Sequence, residues 1–243
     1  MKPFLFLGTR AEDEAADSEY AAMLRCSGLE ERHLTRIRLE RDPLGSVDLG
    51  DWSGVVLGGG PFNVSDPVKE QSLDQKRTQA ELSALARRAV DEDFPFLGAC
   101  YGIGILGSLD GGLVDRTHSE PIGCVAIRLS DDGRSDPLFE GMPAEFDAFL
   151  GHKEAVSRLP AGAVLLASSA TCPVQAFRLG ANVYATQFHP ELDIDGLCTR
   201  IEVYREYGYF HPPEAQSLKD MAMRSVVTEP PRILSRFVEM FAR

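Results

Sequence analysis

Short apolar segments alternate with amphipathic ones through the first hundred residues of the chain. The apolar segments cover residues 4–8, 33–39, 52–57 and 94–99. Each is short and ends at or near a small residue, as expected of a buried parallel strand. Residues 12–26 and 69–90 have helical composition and periodicity instead, with Gly28 placed to end the first helix. This order predicts βαβ units in a mostly parallel sheet.

The pattern changes after residue 120 to shorter, partly alternating strands. The predicted strands cover residues 122–129, 146–150, 164–168, 174–178 and 183–187. Helical periodicity then returns at 197–207 and 233–241. The expected fold is α/β: a three-layer, flavodoxin-like, mostly parallel sheet with an antiparallel extension and helices on both faces. We expect residues 1–243 to form a single domain.

Composition narrows the classes of partner and cofactor. The 25 Lys and Arg residues against 37 Asp and Glu leave a net charge of −12, which disfavours binding to nucleic acid or an anionic membrane. The five cysteines are scattered and form no C-x-x-C pair, so neither a disulfide framework nor a metal site is predicted, and no cofactor is expected.

The first ten residues are typical of a strand rather than a signal peptide, and no apolar run is long enough to span a bilayer. The expected location is cytoplasmic.

The most informative segment leads from an apolar strand through Gly-x-Cys-x-Gly towards a helix. Cys100 is at its centre, between Gly98 and Gly102. A strand–turn–helix elbow of this kind exposes a nucleophile, and the glycines permit the sharp turn because a Cβ would crowd the adjoining strand and helix. The thiol would lie at the positive end of the helix dipole, which favours the thiolate. The alternative is that Cys100 is a small buried apolar side chain, so a partner base is needed to decide.

His189 is the histidine best placed to be that base. It ends an apolar strand and is followed by Pro190 and Glu191. Catalytic groups of open α/β sheets gather at the carboxyl edge of the strands, and Pro190 restricts the backbone between the imidazole and the carboxylate. A cysteine hydrolase needs a thiolate, an imidazole that activates it and protonates the leaving group, and a carboxylate that orients the imidazole. Cys100, His189 and Glu191 are the predicted catalytic residues.

With these two motifs the chain resembles the class I (triad-type) glutamine amidotransferases, especially those similar to the amidotransferase domain of GMP synthase. The resemblance covers about residues 50–192 and leaves 193–243 as a helical extension. It implies that the Leu-Gly-Gly-Gly-Pro segment at 57–61 supplies the backbone N–H of Gly60 to an oxyanion hole shared with Tyr101, and that Gly59 contacts the substrate. Alone, this segment would predict a tight turn or a phosphate loop, but no Lys-Ser/Thr follows to complete a P-loop.

The resemblance also implies a substrate pocket. Gly151 and His152 match a Ser-His-x-Asp segment whose backbone helps to hold the α-amino and α-carboxyl groups of glutamine. The alternative is a surface turn before a helix-like segment at 154–157. The family usually has Gln four residues after the nucleophile, in contact with the substrate, whereas this chain has Gly104. We therefore expect glutamine binding to be weaker by about 0.5–1.5 kcal/mol, and Gly104→Gln to lower KM.

The resemblance implies hydrolysis of the γ-amide of glutamine through a cysteinyl-glutamyl thioester. The ammonia released would pass to an acceptor on a separate synthase, since the chain has no nucleotide motif of its own. Alternatives are a stand-alone hydrolase of γ-glutamyl peptides or conjugates, and a non-catalytic regulatory or binding module. A peptidase of the related flavodoxin-like cysteine hydrolases is disfavoured, because those usually have His directly after the nucleophile, where this chain has Tyr101.

Overall fold

The computed structural model describes residues 1–243, and eleven strands account for its two sheets. In chain order they are β1 Phe4–Gly8, β2 Leu34–Arg38, β3 Gly54–Leu57, β4 Phe96–Ala99, β5 Leu113–Asp115, β6 Glu120–Leu129, β7 Glu145–His152, β8 Ala155–Arg158, β9 Val164–Ser168, β10 Ala176–Leu179 and β11 Val183–Thr186. Nine of them form one sheet in the order β2-β1-β3-β4-β11-β10-β9-β6-β7. The first five strands in this order, from β2 to β11, pair in parallel. The pairs that follow, from β11–β10 to β6–β7, are antiparallel. The fold class predicted from the sequence is confirmed.

Seven α-helices flank the sheet. They are α1 Asp13–Ser27, α2 Leu73–Asp91, α3 Tyr101–Gly107, α4 Asp131–Ser135, α5 Ile194–Val203, α6 Ala215–Arg224 and α7 Pro231–Phe241. Local chemistry sets their ends. The hydroxyl of Ser72 accepts the N–H of Gln75 at 3.0 Å and so caps α2. Gly28 ends α1 with φ of 72°, a left-handed conformation that glycine adopts without steric cost.

Two apolar layers cover the faces of the sheet. On one face, α2 and α3 pack against inward side chains such as Leu7, Val55 and Phe96. On the other face, α1 and α7 cover a layer that includes Phe6, Tyr184 and Phe237. Strand β1 is buried at all five positions because both of its faces are covered. This arrangement fixes the central strands and therefore the edge at which they end.

Several elements differ from the sequence-based expectation. The segment at 154–157, interpreted there as helix-like, includes most of strand β8, which pairs with the equally unpredicted β5. The helix expected at 197–207 begins earlier, at Ile194, and ends at Val203. Helix α6 lies within the helical extension expected at 193–243, although no bounds were predicted for it, and helix α4 was not predicted. None of the helices combines the length and the apolarity needed to cross a membrane.

Candidate active site

Cys100 occupies a sharp turn between β4 and α3. Its φ is 53° and its ψ is −97°, so a residue with a side chain adopts a positive φ, a strained conformation that recurs at functional sites. Gly98 is required here, because a Cβ at that position would lie 2.9 Å from the carbonyl carbon and oxygen of Gly102. The Cys100 N–H donates to the carbonyl of Thr186 at 2.8 Å, which ties the elbow to β11.

The parallel pairing of β3, β4 and β11 brings the predicted catalytic segments to one edge of the sheet. Leu57 lies opposite Gly98, and Thr186 lies opposite Ala99, so the residues that follow each strand are neighbours. Nδ1 of His189 lies 2.8 Å from Oε1 of Glu191. The His189 ring and Cys100 converge over Gly59, since a Cβ at Gly59 would lie 2.5 Å from Cε1 of His189 and 3.1 Å from Cβ of Cys100. The three predicted catalytic residues are thus together, and Gly59 is glycine because the two side chains occupy its space.

Electrostatics favour a charged imidazole beside an ionised carboxylate. Burial opposes protonation of His189, but the charges of Glu191 and Cys100 outweigh burial and raise the pKa of His189. Burial alone would raise the pKa of Glu191, yet His189 and Arg200 hold it well below its ordinary range. The His189–Glu191 pair can therefore stabilise an imidazolium next to a cysteine thiolate.

Arg200, on α5, is a site residue for which the sequence carries no motif. Its Nη2 donates to Oε1 of Glu191 at 2.7 Å and to Oε1 of Glu19 at 3.1 Å. Arg10 in turn donates from Nε to the same Glu19 oxygen at 3.0 Å. The available signal was periodicity: Arg200 follows Leu197 by three residues and so shares the apolar face of its helix.

Two groups of buried side chains contain metal-ligand atoms, and in each group protein donors already bind the carboxylates, although Oε2 of Glu191 has no hydrogen-bond partner. Glu19, His189 and Glu191 form the first group, and the guanidinium of Arg200 donates to both carboxylates. The second group is Glu120, His152 and Cys172. There the Glu120 carboxylate already accepts from Gln175 at 2.7 Å and pairs with His152. Both groups are therefore built as hydrogen-bond networks.

Both predicted oxyanion residues and two of the four predicted substrate residues line a small cavity of about 20 Å³ beside Cys100, whereas Gly59 and Gly104 do not. Gly60, Tyr101, Gly151 and His152 all contribute to its wall. The ring of His152 is already engaged on both sides: Nε2 lies 2.8 Å from Oε2 of Glu120, and Nδ1 lies 2.8 Å from the carbonyl of Glu154. The ring of His152 is therefore held within the protein and is not free to bind a substrate.

Gly104 lies behind the wall of this cavity rather than in it. A Cβ at position 104 would come 2.9 Å from Oε1 of Glu154 and 3.2 Å from Cγ2 of Val64. The Glu154 carboxylate, which does line the cavity, accepts the N–H groups of Val64 at 2.8 Å and Ser65 at 2.7 Å. Burial raises the pKa of Glu154 against the effect of these hydrogen bonds. Glu154 therefore occupies the space that a longer residue at 104 would need.

Tyr209 closes the site from the C-terminal extension. It lines the cavity beside Tyr101 and a second cavity of about 60 Å³, whose wall includes Cys100, Arg10 and Arg200. Nζ of Lys153 lies 4.3 Å from the centroid of its ring. A wider surface groove of about 600 Å³ also has Tyr209 in its wall. The two cavities share Gly60, Cys100, Gly151 and Tyr209, and we call them together the chamber. The larger groove adjoins it.

The family model for "Glutamine amidotransferase class-I" matches residues 18–196. A GMP synthase (glutamine-hydrolyzing) of Thermosipho africanus is 30% identical over 141 residues, which cover 58% of this chain and 24% of that protein. The chain thus spans about a quarter of that longer relative. A shorter relative, named as one subunit of a glutamine-hydrolyzing GMP synthase of Thermoplasma acidophilum, is 31% identical over 149 residues, covering 61% of this chain and 68% of that one.

Solved structures share the fold over nearly the whole chain. A glutamine amidotransferase of Thermotoga maritima superposes with a TM-score of 0.72 at 21% identity, covering 98% of this chain and 99% of that one. A glutamine amidotransferase of Methylobacillus flagellatus gives a TM-score of 0.73 at 21% identity, covering 100% and 96%. At these identities the likeness concerns the fold.

Proposed function

The chain belongs to the class-I glutamine amidotransferase family, and on that premise we propose that it hydrolyses the γ-amide of glutamine and supplies the ammonia to an acceptor on a separate synthase. The observation that carries the proposal is the convergence of His189, held by Glu191, with Cys100 on its strained elbow. Two relatives that are named as single subunits of a glutamine-hydrolyzing GMP synthase support the separate synthase.

The geometry suits acyl transfer to a thiolate. Cys100 attacks the γ-carbonyl carbon, and the oxyanion that forms is stabilised by the backbone N–H groups of Gly60 and Tyr101. The protonated ring of His189 then gives its proton to the leaving nitrogen, which departs as ammonia and leaves a cysteinyl-glutamyl thioester. Water, activated by the now neutral His189, hydrolyses the thioester to glutamate. Glu191 keeps the ring in the required tautomer throughout.

The chamber also carries a group suited to the α-ammonium of glutamine. The Glu154 carboxylate is buried in the wall next to Cys100, and its only described donors are two backbone N–H groups. A substrate cation would compensate the buried negative charge, which is otherwise costly. We therefore assign Glu154 to recognition of the α-ammonium, in place of the contact that Gln at position 104 makes in the family.

One observation favours a second candidate, hydrolysis of a γ-glutamyl peptide or conjugate. The larger groove shares Ile122 and Tyr209 with the 60 Å³ cavity, so a larger leaving group attached to the γ-carbonyl would have a place to lie. Free glutamine remains the first choice, because the two cavities beside Cys100 are small, about 60 and 20 Å³, and Tyr209 lies in the wall of both.

The experiment that separates these functions measures ammonia release from glutamine and amine release from γ-glutamyl dipeptides by the purified chain. Glutamine should be the better substrate, and Cys100→Ala should abolish its hydrolysis. Cys124→Ala is the matched control, since Cys124 lies on β6 outside both cavities, and it should retain activity. Substantial hydrolysis by Cys100→Ala would refute the nucleophile, and a preference for dipeptides would favour the second candidate.

A further inference from the structure

We propose that Arg200 is a positioning residue of this active site: its guanidinium holds the Glu191–His189 pair from behind, and Glu19 and Arg10 hold the guanidinium. We call Arg10, Glu19, Arg200 and Glu191 the buried charge chain. The inference rests on the proposed function in one respect, that Cys100 and His189 form the reacting pair.

Arg200 is placed to orient both Glu191 and His189. Besides its hydrogen bond to Oε1 of Glu191, its Nη1 lies 3.1 Å from Nδ1 of His189. The same Glu191 oxygen accepts from His189 at 2.8 Å, so one carboxylate oxygen is shared between the imidazole and the guanidinium. The planar guanidinium donates to the carboxylates of Glu191 and Glu19 in a fixed geometry, whereas a lysine ammonium would act as a point charge. Arg200 therefore fixes the direction from which Glu191 meets the ring.

Glu19 and Arg10 hold the guanidinium of Arg200 in position. Glu19 lies on α1 and is 2% exposed, and its Oε1 accepts from both arginines. Arg10, which is 5% exposed, also lies 3.3 Å from the hydroxyl of Tyr204 through Nη1. The charges alternate in sign along the chain from Arg10 to Glu191, so each buried ion has an opposite partner. None of the four residues is more than 8% exposed, so an ion that lost its partner would be costly to keep charged.

The charges that face His189 come from five parts of the chain. Glu191 follows the same strand, Cys100 lies on the elbow, Arg200 lies on α5, Arg10 follows β1 and lines the same cavity, and the more distant Glu19 lies on α1. Glu191 and Cys100 favour the imidazolium, and Arg200 opposes it. Removing the charge of Arg200 should therefore make His189 easier to protonate. Removing the charge of Glu19 leaves two arginines unbalanced, and should make His189 harder to protonate.

The test compares pH profiles of Arg200→Gln, Arg200→Lys and Glu19→Gln with the parent. Two readouts are measured: kcat/KM for glutamine, and the rate at which iodoacetamide alkylates Cys100, followed by mass mapping. Arg178→Gln is the matched control, because Arg178 also pairs with a buried carboxylate, that of Asp136 at 2.8 Å, outside both cavities. Thermal unfolding of each variant establishes that it is folded.

The expected result is a pair of opposite shifts. In Arg200→Gln the inflection of the pH profile that is assigned to His189 should move to higher pH by about one unit, and in Glu19→Gln it should move to lower pH. Arg200→Lys keeps the positive charge but loses the planar guanidinium. Its pH profile should therefore not shift, while kcat falls about tenfold. Arg178→Gln should change neither quantity. If Arg200→Gln fails to fold, Glu19→Gln and Arg200→Lys decide.

Shifts of the same sign in Arg200→Gln and Glu19→Gln, an unmoved profile in Glu19→Gln, or full kcat in Arg200→Lys would overturn the inference. The alkylation readout needs no glutamine, so it separates this inference from the proposed function. In one outcome the parent releases no ammonia, while the two variants still shift the pH profile of alkylation in opposite directions. That result would refute glutaminase activity and leave the role of Arg200 standing.

Discussion

At the scale of single residues, Cys100 is held in a backbone conformation that a side chain disfavours. A non-glycine residue at φ of 53° outside the helical regions costs about 1–3 kcal/mol. The hydrogen bond from its N–H to Thr186 and the close packing of Gly98 on Gly102 hold it there. The strain keeps the thiol aimed at the chamber, towards which His189 also points. It is therefore part of the preorganisation that the proposed chemistry requires.

Position 104 provides a residue-scale prediction that is opposite to the one from sequence alone. Gly104→Gln would bring its side chain against the Glu154 carboxylate and Val64, so Glu154 must leave the N–H groups of Val64 and Ser65. We expect a loss of about 1–3 kcal/mol in the free energy of unfolding, and a raised KM for glutamine. Urea unfolding and steady-state kinetics measure the two effects.

The double variant Gly104→Gln with Glu154→Asp is the matched control for this prediction. A shorter acid makes room for the amide, so the double variant should regain stability and part of the lost affinity relative to Gly104→Gln. A several-fold lower KM in Gly104→Gln alone, at unchanged stability, would instead show that position 104 reaches the substrate directly.

At the scale of elements, the site depends on the crossing of β4 and α3 at the elbow. Gly98→Ala would place a Cβ 2.9 Å from backbone atoms of Gly102, and backbone cannot rotate away as a side chain can. We expect the elbow to shift, with kcat lower by about 100-fold and stability lower by about 1–3 kcal/mol. Ammonia release and thermal unfolding test this.

Gly28→Ala separates lost function from lost stability in that experiment. Gly28 has a φ of 72° at the end of α1, and no atom lies within 4 Å of the position of a Cβ. The substitution should cost about 1 kcal/mol of stability through backbone strain alone and leave kcat unchanged. Equal kcat in Gly98→Ala and the parent would show that the elbow tolerates a side chain.

The elements that the sequence predicted are those with strong local signals. Buried strands such as β1 and β11 could be predicted because apolar runs end at turns, and the proposed catalytic residues could be singled out because each motif lies next to a strand end. Strands β5 and β8 have three and four residues, too few for a period to appear. Pairing with β5 and the burial of Val156 against α3 determine the conformation of β8. Tertiary contacts therefore overrode a weak helical preference.

At the scale of the whole molecule, the active site is assembled from both ends of the chain. Glu19 comes from the first helix and Arg200 from the fifth, and they meet at Glu191 only after the sheet has brought the termini together. Tyr209 closes the chamber from the C-terminal extension. A sequence motif reports residues that are near one another along the chain, so it could not reveal these contacts. The long-range part of the site was therefore found only in the structure.

The last prediction links substrate binding to the pH dependence of stability through Glu154. Its pKa in the folded protein is raised, so over the interval between its ordinary value and the raised one the folded state binds a proton that the unfolded chain does not. Stability due to this group therefore rises as pH falls through that interval, by up to about 1.4 kcal/mol per pH unit. Relative to Glu154→Gln, the parent should gain stability on acidification from pH 7, which urea unfolding at several pH values measures.

Glu145→Gln is the control for that comparison, because Glu145 pairs with Arg128 on the surface and the substitution changes the net charge equally. The pH dependence of its stability difference from the parent is subtracted from that of Glu154→Gln. Protonation of Glu154 also removes the proposed partner of the α-ammonium. Calorimetric binding of glutamine to Cys100→Ala, which cannot turn it over, should therefore weaken over the same pH interval in which the parent gains stability over Glu154→Gln. Binding that stays constant across that interval would mean that Glu154 does not face the ammonium, even if the stability measurement comes out as expected.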